Sequence, residues 1–243
     1  MKSDNKIFQI ITIGVVLIAV LFVAKLMFLP ENLSNVKTIQ SQGTAETTAQ
    51  PDQAEIYARI EVIRDTADLA ASDSKAKSTA VVDAIKKFDG ATVETTGYNI
   101  NKKEDWTQDG PVFKGYVATY SLKVTTTDFN QVGKVIDAAV NNGANNIDSV
   151  QFTLSKNAEE KVRSETLKQA GENAKMKAQA VAEGLGVQLG DIVSVSESNF
   201  YAQPYYFAKA TEAVSAGRPA ADLTIEPSSI TVTASINVAY KIK

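Results

Sequence analysis

Residues 230–242 carry the pattern that most constrains the fold, a strict alternation of apolar and polar side chains. The apolar positions lie two residues apart and are Ile230, Val232, Ala234, Ile236, Val238, Tyr240 and Ile242. Successive side chains of a strand point to opposite faces, so all seven share one face. Such an alternation is typical of a half-buried antiparallel strand. The sequence therefore predicts an antiparallel sheet with a long strand near residue 242.

Six earlier segments also have strand character. They are Thr38–Ala49, Ala54–Ile63, Thr92–Lys102, Phe113–Thr126, Ile147–Ser155 and Ile192–Ser198. The second alternates cleanly, with apolar residues at Ala54, Ile56, Ala58, Ile60 and Val62. A short turn signal, Pro51-Asp52, separates the first two segments and favours an antiparallel hairpin between them. The third and fourth segments predict a second hairpin around a loop at Glu104–Gly110.

Helical periodicity appears in two long segments. The first begins at a cap at Asp65 or Thr66 and continues to about Phe88, with an apolar stripe at Leu69, Ala76, Ala80, Ile85 and Phe88. The second spans Ala158–Leu185, with a stripe at Ala158, Val162, Thr166, Ala170, Ala174, Ala178, Val181 and Leu185. Its small residues allow close packing. Together these elements predict an α+β fold over residues 31–243, with antiparallel sheets and packed helices, as one domain or two subdomains.

An uninterrupted apolar run precedes this domain. Residues Ile7–Ala24 contain no charged side chain. Eighteen residues of helix span about 27 Å, close to the thickness of a bilayer's hydrocarbon layer. Pro30 ends the helix. The sequence predicts one transmembrane anchor within residues 1–30, in contact with lipid through residues 7–29. The alternative is a cleaved signal peptide, which would have a shorter apolar region and a small-residue cleavage site.

Charges around the apolar run predict the orientation of the chain. Lys2 and Lys6 precede the run, and Lys25 follows it. The positive-inside rule then places the N-terminus in the cytoplasm and the C-terminal domain outside it.

Composition excludes several functional classes. The chain has no Cys and no His, which removes thiolate and imidazole chemistry and the usual zinc ligands. Acidic and basic residues are mixed along the sequence, so nucleic acid is not an expected partner. Three nearby acids, Asp65, Asp68 and Asp73, point in different directions on a helix and are interpreted as a solvated face. We expect no cofactor, no metal site and no catalytic residue.

The most unusual segment of the domain is aromatic. Five rings fall within eight positions, at Phe200, Tyr201, Tyr205, Tyr206 and Phe207. Tyr and Phe are enriched at contact surfaces, so the segment is a candidate interaction site, drawn as a protruding arm around Pro204. The alternative is a hairpin tip that folds back onto its own domain.

Several of these signatures together resemble the SIMPL-domain family. They include Gly43-x-Ala45 with Pro51-Asp52-x-Ala54, Gly115-Tyr116 opening a long strand, and Asp128-Phe129 followed by Gly143-Ala144-Asn145. They also include Val150-x-Phe152-x-Leu154-Ser155, the Ala-rich helix ending in Leu185-Gly186, Gly190, and an aromatic loop before the last strand. The resemblance covers residues 38 to 243.

The resemblance implies a secreted, periplasmic or membrane-anchored protein without transferable catalytic residues. Some members of the family are linked to envelope stress, and some assemble into rings. We therefore expect a membrane-anchored, non-catalytic envelope protein that forms a homo-oligomer, with other protein partners unspecified. The alternative is a membrane-tethered ligand-binding receptor or a hydrolase that uses carboxylates.

Overall fold

The computed structural model describes residues 37–208, 211–212, 216–217, 219–220 and 225–243. The predicted anchor within residues 1–30 lies outside these ranges. Among the residues in these ranges, no helix is both long enough and apolar enough to cross a membrane.

The fold is α+β with antiparallel sheets, as predicted. The strands are β1 (Thr38–Ala49), β2 (Gln53–Arg64), β3 (Thr92–Thr107), β4 (Gly110–Thr126), β5 (Asn146–Thr153), β6 (Leu189–Ala202), β7 (Tyr205–Tyr206) and β8 (Ile230–Ile242). The helices are α1 (Ala67–Ile85), α2 (Val132–Asn141) and α3 (Lys156–Gly184), and a 3-10 turn at Phe129–Gln131 leads into α2.

The larger sheet has five strands in the order β3-β4-β2-β5-β7, all antiparallel. One face of the central strand β2 is almost completely buried, at Ala54, Ile56, Ala58, Ile60 and Val62. Helices α1 and α2 cover this face with Val81, Ile85, Val132, Val135 and Ile136. The predicted inward face of β2 is confirmed.

The smaller sheet has three strands in the order β1-β8-β6, with β8 in the centre. Ile236, Val238 and Tyr240 pack against an alanine row of α3. Ile230 and Val232 form a neighbouring cluster with Leu154. The alternating strand at the C-terminal end of the sequence is thus confirmed as the centre of a sheet with its apolar face on a helix.

Helix α3 lies directly against the backbone of β1. The Ser41 hydroxyl donates to the Ala174 carbonyl at 2.8 Å, and the Asn173 amide donates to the Thr44 carbonyl at 2.9 Å. A Cβ atom on Gly43 would lie 2.5 Å from the Ala174 nitrogen and closer still to the Ala170 carbonyl oxygen. Only glycine permits this approach, since a contact below 3 Å requires the backbone to shift.

The predicted hairpin between the first two strands is wrong. β1 pairs with β8, whereas β2 pairs with β4 and β5. The connection is held against α3, because the Asp52 carboxylate accepts hydrogen bonds from the backbone N–H and the hydroxyl of Ser155. The Asp52 N–H also donates to the Thr153 carbonyl at 3.1 Å. Pro51-Asp52 therefore carries the chain from one sheet into the other instead of reversing it.

The sheets are joined a second time between β6 and β7. Gln203 donates its N–H to Thr231 of the smaller sheet at 2.9 Å, and Phe207 donates its N–H to Val150 of the larger sheet at 2.9 Å. Each long strand belongs to one sheet only.

The predicted apolar stripe of α1 is largely wrong, and that of α3 is confirmed in its middle part. In α1 the buried positions are Ala70, Ser74, Ser78, Val81, Ala84 and Ile85, whereas Leu69 is 52% exposed and Ala76 and Ala80 are also exposed. In α3 the predicted stripe holds from Thr166 to Ala178 and continues at Ala182, leaving Val181 and Leu185 exposed. Small side chains, polar or apolar, occupy the faces that approach the sheets most closely. Of the two predicted caps for α1, Asp65 and Thr66, the structure has Thr66, whose hydroxyl accepts from the Leu69 N–H.

Candidate interaction surface

The aromatic segment predicted as an arm pairs with its own domain. Phe200 lies in β6, half-buried, with the Arg163 guanidinium 4.7 Å from its ring centroid. Tyr205 is also half-buried, and Phe207 is only 8% exposed. Both rings stand near Phe152, at centroid distances of 6.0 Å and 6.2 Å. These three side chains mainly stabilise the fold.

Two members of the segment remain on the surface. Tyr201 is 54% exposed on β6 of the smaller sheet, and Tyr206 is 60% exposed on β7 of the larger sheet. The structure therefore divides the five predicted residues between core and surface. An interaction role stays a prediction for all five residues, and Tyr201 and Tyr206 have the largest exposed area for it.

A larger exposed aromatic surface lies at the far end of β3 and β4, in residues 102–115, which we call the ribbon. The pairing of β4 with β2 ends at Tyr116 opposite Arg64, so beyond that point β3 and β4 pair only with each other among the described residues. Trp106 is 82% exposed, Phe113 49% and Val112 42%. A two-stranded ribbon with large apolar side chains in water is marginally stable on its own.

A glycine stands at each end of the ribbon, Gly110 at the turn and Gly115 at the base, and both have a positive φ. Gly115 has φ +115°, and a Cβ there would lie 2.6 Å from the Arg64 carbonyl oxygen. Lys114 is an extra residue at this point, since Lys103 pairs with Gly115 while Glu104 pairs with Phe113. The resulting bulge brings the rings of Phe113 and Tyr116 to a centroid distance of 5.5 Å in an edge-to-face contact.

The register of β3 and β4 places the aromatic rings on one face of the paired strands. Trp106 pairs with Pro111, Glu104 with Phe113, and Lys102 with Tyr116. Alternate residues share a face, so the aromatic face of the ribbon consists of Lys102, Glu104, Trp106, Pro111 and Phe113, and Tyr116 continues this face at the base of the ribbon.

The predicted loop at Glu104–Gly110 is wrong, because the strands continue to Thr107 and from Gly110. Two signals could have revealed the ribbon: the single Trp of the chain, and an Asp109-Gly110 turn between two strand-like runs.

A groove lies on the helical side of the larger sheet, between α1 and the strands β3 and β4. We call it the tyrosine groove, and its volume is about 600 Å³. It is lined by Asp68, Ala71, Ser72, Lys75, Ser78, Thr79, Tyr98 and Tyr120. The two tyrosine rings are 5.8 Å apart, and the Tyr120 hydroxyl is 2.7 Å from the Thr95 hydroxyl. Of the acids singled out in the sequence, Asp68 borders this groove, while Asp73 pairs with Arg64 at 2.6 Å.

A smaller depression of about 330 Å³ at the junction of the sheets is bordered by Glu55, Glu159 and Lys156. Tyr57 donates its hydroxyl to Glu55 at 3.0 Å. Burial raises the pKa of the Tyr57 phenol, and this hydrogen bond raises it further, so the hydroxyl remains a donor. A hydrogen bond to Glu94 likewise raises the pKa of Lys123, and the nearby charge of the Glu55 carboxylate raises it further. Glu55 is thus held within a network of partners on the sheet surface.

Comparison with known proteins identifies the family of the chain. The family described as "SIMPL: Protein of unknown function (DUF541)" matches residues 39–240. The 26 kDa periplasmic immunogenic protein of Brucella melitensis is 29% identical over 209 residues, which cover 83% of each chain. The uncharacterized protein YggE of Edwardsiella ictaluri is 27% identical over 68% of this chain and 71% of its own, and YggE of Escherichia coli K12 is 26% identical over 68% of both. Because the family match covers nearly all of the described domain, this chain belongs to the SIMPL family.

Proposed function

We propose that the chain is a membrane-anchored, non-catalytic protein of the cell envelope that acts through self-assembly and protein–protein contact. The observation that carries this proposal is the ribbon, whose aromatic face holds Trp106 and Phe113 outside the core. Large exposed apolar patches on a soluble domain mark contact sites. The exposed Tyr201 and Tyr206 add further contact area.

Two independent features support a location outside the cytoplasm. A related protein from Brucella is named as periplasmic. The apolar run at residues 7–24, with lysines before it, fits an anchor that leaves the described domain on the outer side of the inner membrane.

The oligomeric mass of the full-length chain tests self-assembly. We expect the protein, extracted in a mild detergent, to have a protein mass by light scattering that is a multiple of 26.1 kDa. Changing Tyr201 and Tyr206 to Ser leaves the core intact and shows whether the aromatic segment contributes to the interface. A monomeric wild-type chain would contradict the proposed self-assembly.

Binding or hydrolysis by carboxylates is the second candidate, and the depression bordered by Glu55 and Glu159 is the observation that favours it. An acid–base pair needs at least one carboxyl free to exchange protons with a substrate. Glu55 already accepts from Tyr57 and faces Lys123, which suits a structural role better. Hydrolysis that is lost on changing Glu159 to Gln would favour this candidate instead.

A further inference from the structure

We propose that the ribbon of one copy inserts its aromatic face into the tyrosine groove of a second copy, so that the chain assembles head to tail. This inference rests on the proposed self-assembly and names the two surfaces that make it.

The ribbon requires a partner for its apolar side chains. Trp106 and Phe113 are 82% and 49% exposed. At these exposed fractions, burying the two rings removes roughly 200–330 Å² from water, which can form the apolar centre of a contact.

The tyrosine groove has the size and chemistry to receive these rings. Its volume of about 600 Å³ falls within the range of cavities that enclose a drug-sized molecule, which is comparable with one or two aromatic side chains. Tyr98 and Tyr120 present ring surfaces for edge-to-face or offset contacts, and Ala71 adds an apolar wall.

Each of the two surfaces carries one basic and one acidic side chain. The aromatic face of the ribbon carries Lys102 and Glu104 beside its rings. The border of the groove carries Asp68 and Lys75 on one side of α1. One basic and one acidic side chain on each surface can pair across the contact and fix its direction.

The ribbon cannot reach the groove of its own chain. Tyr98 lies opposite Tyr120 in the same pair of strands that continues into the ribbon. Trp106 is eight residues further along β3, which is roughly 27 Å in an extended strand. Folding back would break the β3–β4 pairing, so an occupant of this kind must come from another copy.

The contact joins two different surfaces, and repeating it yields a ring or a filament according to the rotation between copies. Each copy then donates one ribbon and offers one groove.

Cross-linking tests the contact directly, because the chain has no Cys of its own. One full-length variant carries Gln108→Cys at the ribbon turn, and another carries Ser72→Cys in the groove. A bifunctional thiol cross-linker should join the two variants when they are mixed. A matched control pairs Gln108→Cys with Lys175→Cys on α3, where we expect no product. Adding Trp106→Ser should abolish the cross-link, while Val112→Ser, on the opposite face of the ribbon, should preserve it.

Fluorescence gives a second readout, since Trp106 is the single Trp of the chain. Assembly should shift its emission to shorter wavelength, and Tyr98→Ser in the groove should reverse that shift. Burial of Trp106 in detergent or lipid would leave the emission unchanged by Tyr98→Ser and would overturn the inference. A wild-type oligomer whose Gln108→Cys and Ser72→Cys variants give no cross-link also overturns the inference but leaves self-assembly intact. A monomeric wild-type chain contradicts both.

Discussion

Ser74 places a hydroxyl group inside the interface between α1 and the larger sheet. Its side chain is completely buried, and among the described residues its Oγ has no hydrogen-bond partner. A buried polar atom without a partner costs about 1–3 kcal/mol of desolvation. This residue therefore fits the available space better than it fits the polarity of its surroundings.

Changing Ser74 to Ala should raise the free energy of unfolding by about 1 kcal/mol, because it removes the unpaired hydroxyl and keeps the small size. Urea denaturation of the full-length chain measures the effect. Ser78→Ala is the matched control, since the Ser78 hydroxyl donates to the Lys75 carbonyl at 3.0 Å and should change stability little. A loss of stability in Ser74→Ala would mean that a water molecule pairs with the hydroxyl.

Ser74 and Ser78 also explain why the apolar stripe of α1 was misplaced. A stripe drawn from hydrophobicity selects Leu69 and omits serine. In the folded chain the distance between helix and sheet determines which residues can face the sheet, and the small residues at 70, 74 and 78 form the contact face. Single-residue polarity could not reveal this, because the required spacing is set by the partner element.

Among the elements, α3 and β1 depend on one another through Gly43. Gly43→Ala should lower the free energy of unfolding by about 3 kcal/mol, because the new methyl group would overlap the backbone of α3 at Ala170 and Ala174. The thermal unfolding midpoint measures the loss.

Gly97→Ala in β3 is the matched control for Gly43. A Cβ there would meet nothing closer than 3.8 Å, the Cβ of Ser121, so we expect a small change. Equal midpoints for the two variants would show that α3 can move away from β1 at little cost.

Strands with regular alternation were predictable from the sequence. Which strands pair with one another in the sheets was harder to predict. The inward faces of β2 and β8 follow from period-2 patterns that each strand carries by itself. The pairing of β1 depends on a strand about 190 residues further on, and a turn signal at Pro51-Asp52 cannot distinguish a reversal from a passage between sheets. Local pattern specifies a strand, whereas its neighbours follow from the packing of the whole chain.

At the scale of the whole molecule, the exposed contact surface was only partly predictable. Aromatic density pointed to residues 200–207, of which Phe207 is a core residue and Tyr206 a surface residue. The outer part of the ribbon, Glu104–Gly110, was interpreted as a loop because the charged residues Lys102 to Asp105 dilute the strand pattern. Its exposure results from β2 ending at Arg64 while β3 and β4 continue, a difference in strand length that no local pattern contains.

The position of β8 between β1 and β6 also determines when the smaller sheet can form. The first strand of the described domain has the last one as its partner, so a chain emerging from the ribosome or the export channel cannot complete this sheet until residues 230–242 are free. Strands β2 to β5 are contiguous in sequence and close shorter loops.

Pulse-labelled hydrogen exchange during refolding should therefore protect the amides of β2 and β4 before those of β1 and β8. Simultaneous protection would contradict this order. If the order holds, β1 remains unpaired for most of the folding reaction. Its sequence is rich in threonine and glutamine, so the unpaired strand exposes little apolar surface on which chains could associate prematurely.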